Sequence, residues 1–125
     1  MTWLCIALGG ALGSVSRYGM SLALARFETF PVGTLAANVA GSLIIGIAAG
    51  LWELDQRKTP QALFLITGFC GGFTTFSTFS LQTLELIQKN EWARAGGNIT
   101  ASVVLCLVGT GLGWWLGQTL KKGAA

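Results

Sequence analysis

Residues 68–80 read GFCGGFTTFSTFS: Gly68, Gly71 and Gly72, then hydroxyl side chains alternating with phenylalanine. A lipid-facing span would fill such a stretch with Leu, Ile and Val. Here the Gly71–Gly72 pair weakens a helix, and the β-branched Thr74 and Thr75 follow at once, so the segment predicts a helix broken near residues 71–75. Non-helical backbone at membrane depth is tolerated only where it is buried in protein or lines an aqueous cavity, because lipid leaves N–H and C=O groups unpaired. Freed carbonyls in this region are then available to a cation. The alternative is a glycine-kinked helix whose Ser and Thr side chains bond back to their own backbone.

Just past the expected break, Phe76 and Phe79 are three residues apart and share a face of the resumed helix, with Ser80 and Thr83 close to it. Aromatic rings are electropositive at their edges, so two rims beside hydroxyl donors suit an anion. On spacing alone, ordinary packing remains the better reading of the pair.

Working outward, the whole chain supports a membrane setting. Of its 125 residues, 52% are hydrophobic and 10% charged, against roughly 25% charged in a soluble domain, and the mean hydropathy is +0.62. Apolar segments cover residues 3–24, 32–52, 62–87 and 95–116, with most of the charge between them. A crossing takes about 20 apolar residues, so the expectation is an all-α membrane protein of four spans forming a single domain over residues 1–125. No Lys or Arg precedes the apolar start, so residues 1–8 are expected to stay as part of the first span and not to act as a cleaved leader. Trp3, Trp52, Trp92, Trp114 and Trp115 fall near segment ends, as in interfacial aromatic belts.

Glycines at four-residue spacing, among them Gly9 and Gly13, Gly46 and Gly50, and Gly109, Gly113 and Gly117, predict close helix packing in lipid. Two in-span polar groups stay open between readings. Asn38 is either interhelical glue or a pore donor, and Arg17 either snorkels to the interface or has a function within the membrane.

Several function classes are excluded. The charge is a modest +3 and its basic residues are scattered, which argues against nucleic acid. Cys5, Cys70 and Cys106 lie in apolar segments without a CxxC pair, so neither a disulfide framework nor a zinc site is indicated. With no His, and Glu85 as the only in-span acid, the chain lacks the buried relay that proton-coupled transporters use; a small proton-coupled exporter would need a Glu in the first span. No catalytic constellation is present, and an enzyme is not expected. Flanking Lys and Arg divide almost evenly, four against three, with Arg57, Lys58, Lys121 and Lys122 on one side and Arg26, Lys89 and Arg94 on the other. The positive-inside rule then sets no clear orientation, which permits insertion both ways up and an antiparallel homodimer.

Three segments in order, GGALGSVSRY (residues 9–18), GTLAANVAGSLIIG (33–46) and GFCGGFTTFSTFS (68–80), resemble the Fluc/CrcB family of bacterial fluoride channels. The resemblance implies a dual-topology antiparallel homodimer in the bacterial inner membrane. It would pass fluoride passively outward to relieve fluoride toxicity, around a structural sodium ion at the dimer centre. Carried over by motif, Asn38, Phe76 and Phe79 would line the fluoride pore, with Ser80, Thr83 and Ser102 as further polar neighbours. Arg17 would stand at a pore entrance, and the backbone carbonyls of Gly71 and Thr74 would hold the sodium. Gln82 replaces a Glu common in the family, and Asn98 and Cys106 stand where Tyr or Ser is more usual.

Overall fold

The computed structural model describes residues 1–27 and 29–125. Helix α1 (Thr2–Ala23) is followed by α2 (Val32–Leu51), a short 3-10 turn at Gln56–Lys58, α3 (residues 60–73), α4 (Phe76–Gln88) and α5 (Trp92–Ala124). Helices α3 and α4 are two halves of one interrupted span. Within α3, Leu63–Cys70 is wound as a π-helix and Gly71–Phe73 returns to α geometry.

The interruption is narrower than expected. Gly71 and Gly72 remain helical, and the chain turns extended only at Thr74 (φ −86°, ψ 157°) and Thr75 (φ −154°, ψ 117°). Two β-branched residues, which favour extended backbone, therefore mark the break. The glycines serve packing: a Cβ on Gly72 would collide with the Gly10 carbonyl oxygen.

The four spans assemble as two tight pairs. Helix α1 lies along α3, and α2 packs most extensively on α5. Both contacts use backbone against backbone. A Cβ on Gly13 would strike the Phe69 carbonyl oxygen and come within 2.8 Å of the Phe73 nitrogen; one on Gly113 would strike the Leu43 carbonyl oxygen and come within 2.9 Å of the Ile47 nitrogen. Small residues bring the helices together where lipid supplies no hydrophobic drive. The apolar core is accordingly built of small residues such as Ala37, Ala48, Ala62 and Ala95, while Trp3, Val15 and Leu107 face outward. An apolar exterior over a small-residue core is the pattern of a protein solvated by lipid.

Among the described residues, three helical stretches are long and apolar enough to cross a membrane: Val32–Leu51, Pro60–Gln88 and Trp92–Ala124. The four crossings expected from the sequence are thus met by three on length and composition. Helix α1 has 22 residues, about 33 Å at the usual rise, but Ser14, Ser16, Arg17 and Tyr18 lower its apolar character. Helix α5 extends beyond the expected 95–116 at both ends, to 33 residues. Lys121 and Lys122 fall in its last turn, where cations suit the helix dipole. Asn90, at φ 59°, ends α4 in a Schellman closure, with the Asn90 and Glu91 N–H groups donating to the Ile87 and Leu86 carbonyls at 2.9 and 2.8 Å.

Two measurements check this packing. Gly113→Ala should destabilise the detergent-solubilised protein by about 1–3 kcal/mol through overpacking. Gly111→Ala, whose Cβ meets nothing within 4 Å, should stabilise it by about 0.5–1 kcal/mol through helix propensity; equal responses in thermal unfolding would refute the close approach. Thr75→Ala should cost about 1 kcal/mol, because the Thr75 hydroxyl caps α4 by accepting from the Thr78 N–H at 3.2 Å.

Candidate functional site

An interrupted span leaves backbone groups unpaired, and neighbouring side chains take up several of them. The Thr74 N–H and hydroxyl both donate to the Cys70 carbonyl, at 2.9 and 2.8 Å. From α2, Asn38 grips Thr75 twice: its Oδ1 accepts from the Thr75 N–H at 2.7 Å, and its Nδ2 donates to the Thr75 carbonyl at 3.1 Å. From α1, the half-buried Arg17 donates Nε to the Gly72 carbonyl at 3.0 Å. In an unbroken helix that carbonyl would accept from the N–H of residue 76. Arg17 thereby closes the C-terminal end of the first half-helix, with its charge where the dipole favours it.

Two sets of backbone groups are left over. Among the described residues, no donor pairs with the Gly71 or Thr74 carbonyl, and no acceptor pairs with the Phe76 or Ser77 N–H at the start of α4. With the Phe73 carbonyl, which likewise has no donor among the described residues, one interruption leaves three bare oxygens and two bare N–H groups close together in sequence.

The break opens onto a groove of about 530 Å³ between α2, α3, α4 and α5. Six of the residues singled out in the sequence line it: Asn38, Gly71, Thr74, Phe76, Phe79 and Ser102. The Phe76 and Phe79 rings have centroids 5.3 Å apart and are tilted by 46°, and Phe76 is 79% exposed. Gly41 also lines this groove, and a Cβ there would collide with the Thr74 methyl group, so any side chain at that position would have to displace the Thr74 side chain.

The other three lie elsewhere. Ser80 is exposed, its hydroxyl donating to the Phe76 carbonyl at 2.9 Å. Thr83 is buried, donates to the Phe79 carbonyl at 2.8 Å and accepts from Asn98 Nδ2 at 2.9 Å. Arg17 makes its contact on the α1 side of the break. Sequence reasoning missed the part Thr75 plays, although a Thr directly before a helical Phe-Ser-Thr run carries the signature of an N-cap. It also missed the Thr83–Asn98 pair. Gln82 Oε1 is buried without a partner among the described residues, beside a smaller hollow of about 240 Å³ that Ser21, Thr34, Glu85 and Lys89 also line.

Comparison with known proteins gives the chain's family. The family model described as "CrcB-like protein, Camphor Resistance (CrcB)" matches residues 4–114. Among similar proteins, the "Fluoride-specific ion channel FluC" of Opitutus terrae is 54% identical over 97% of this chain and 92% of its own. Those of Paramagnetospirillum magneticum and Rhodospirillum rubrum, of the same name, are 47% and 48% identical, each over 90% of this chain and 92% of their own. These names describe channels, not enzymes, and with three apolar spans the protein is a multi-pass membrane protein. On the match to most of its length, and on relatives this similar across nearly the whole of both sequences, the chain belongs to the CrcB-like family.

Proposed function

We propose that this protein conducts fluoride passively across the bacterial inner membrane as an antiparallel pair of oppositely inserted copies, and that outward flow relieves fluoride toxicity. The observation that carries the reading is the groove at the broken span, where Phe76 and Phe79 stand beside Asn38. It is supported by the relatives named as fluoride-specific channels. The groove is open in a single subunit, and the exposed Phe76 is the kind of surface a second copy would cover. On this reading α1 is the fourth crossing, its Arg17 tied inward to Gly72 and its outer face formed by Leu4, Leu8, Leu12 and Val15.

Fluoride is small and strongly hydrated, so a path for it must replace water with fixed donors. Asn38 has two amide hydrogens, of which one is committed to the Thr75 carbonyl, and the other is available to an anion. The Phe76 and Phe79 rims add electropositive edges, and Ser102 adds a hydroxyl. The bare N–H groups of Phe76 and Ser77 lie at the positive end of a half-helix, an arrangement that broken-helix transport proteins use for anionic groups.

The same break suits a sodium ion. Unwound carbonyls at the end of a half-helix are its usual ligands in membrane proteins, and the unpaired Gly71 and Thr74 oxygens fit that role, two copies supplying both pairs. Bound there, the cation would supply a fixed positive charge that offsets the cost of an anion in a low-dielectric interior.

Purified protein in liposomes should release fluoride under a gradient, followed with an ion-selective electrode, and should hold back chloride; no flux, or equal chloride flux, rejects the proposal. Phe76→Ile and Phe79→Ile should each slow release by at least about tenfold, a barrier change of about 1.4 kcal/mol, in protein that remains folded. Unaltered flux in both would favour a path that avoids the groove.

A further inference from the structure

The carboxamide of Asn38 sits where it competes with one particular backbone bond. In a continuous helix the Thr75 N–H would donate to the carbonyl four residues earlier, which is that of Gly71. Here it donates instead to Asn38 Oδ1, at 2.7 Å, shorter than the 3.1 Å return bond from Nδ2 to the Thr75 carbonyl. The donor and acceptor of Thr75 leave the amide one orientation, oxygen to N–H and NH₂ to carbonyl. A residue 37 positions away in sequence therefore diverts the hydrogen bond whose loss leaves the Gly71 oxygen bare.

The neighbouring contacts fix the second oxygen. Thr74 is anchored backwards through both its N–H and its hydroxyl to Cys70, and its methyl group rests against Gly41, three residues beyond Asn38 on α2. Held between Cys70 behind and the Asn38 clamp ahead, Thr74 stays extended and its own carbonyl finds no donor.

We propose that Asn38 is the positioning residue of the cation site: by capturing the Thr75 N–H it holds the Gly71 and Thr74 carbonyls free, so that metal affinity depends on a side chain that contributes no ligand. This rests on the sodium reading above and adds to it a residue acting through Thr75. Linkage makes the effect reciprocal, because whatever holds the break open favours the cation and a bound cation favours the open break.

The test follows thermal unfolding of the purified, detergent-solubilised protein in sodium chloride against choline chloride at constant ionic strength, without fluoride. The wild type should gain stability specifically from sodium. In Asn38→Ala the Thr75 N–H can return to Gly71, and the sodium concentration for half-maximal stabilisation should rise about 10- to 100-fold, as when a group supporting a metal ligand is removed. Asn38→Asp retains an acceptor for the Thr75 N–H and should keep its midpoint at or below that of the wild type. Gly111→Ala should shift the unfolding temperature without moving the sodium midpoint, which separates a general change in stability from the coupling. A folded Asn38→Ala with a wild-type midpoint overturns the role given to Asn38. If that variant yields no folded protein, a tenfold weaker midpoint in folded Asn38→Asp overturns it equally. A wild type indifferent to sodium overturns the sodium reading beneath it.

Discussion

The pairing of the Thr75 backbone with the Asn38 carboxamide is the contact on which the rest of the site depends. At membrane depth an unpaired N–H or C=O costs several kcal/mol, so a span cannot simply stop being helical. Here part of the cost is met from both flanks. Asn38 reaches in from α2 to Thr75, and Arg17 reaches in from α1 to Gly72. Each supplies hydrogen bonds that the helix has given up, and each is a residue that an isolated apolar span would have no reason to contain.

The glycine seams make these reaches possible. With Gly9 and Gly13 against Gly68 and the Phe69 backbone, α1 lies close enough to α3 for the Arg17 stem to arrive at Gly72. With Gly41 against Thr74, α2 brings Asn38 to hydrogen-bonding distance of Thr75. A methyl group on Gly9 or Gly13 would strike the α3 backbone and force the helices apart, and one on Gly41 would displace the Thr74 side chain beside the clamp. Packing and polar satisfaction are thus one requirement: small residues set the spacing, and the spacing admits the two clamps.

The broken third span was legible in the sequence because its composition contradicts a lipid-facing helix. The expected break covered residues 71–75, glycine pair and threonines together; Gly71 and Gly72 stay helical and only the Thr pair departs. Glycine's two uses in a membrane helix, weakening it and letting another backbone approach, look the same in one sequence, and only the neighbouring Gly10 carbonyl decides between them. The shared face of Phe76 and Phe79 followed from spacing, since three residues on a helix bring side chains together. Asn38 was visible as a polar group needing a partner. That partner lies 37 residues away, on backbone that is unpaired only because the helix fails there, and no local pattern encodes such a pairing. The same holds for Asn98, which meets Thr83 across the α4–α5 contact.

One interruption exposes both kinds of backbone dipole in order along the chain. The end of α3 and the residue after it offer oxygens at Gly71, Phe73 and Thr74, and the beginning of α4 offers N–H groups at Phe76 and Ser77. On the proposed reading the first set would take a cation and the second would face an anion, a few residues apart. For two ions of opposite charge in a medium of low dielectric, proximity offsets part of the desolvation each would suffer alone. An extended segment of only two residues is what keeps the two sets adjacent: a longer loop would separate them, and a simple kink would leave the carbonyls still engaged in the helix. If a small halide passes here as proposed, its donors must be fixed in advance, and the clamps on either side of Thr74 are the contacts that would hold them in place.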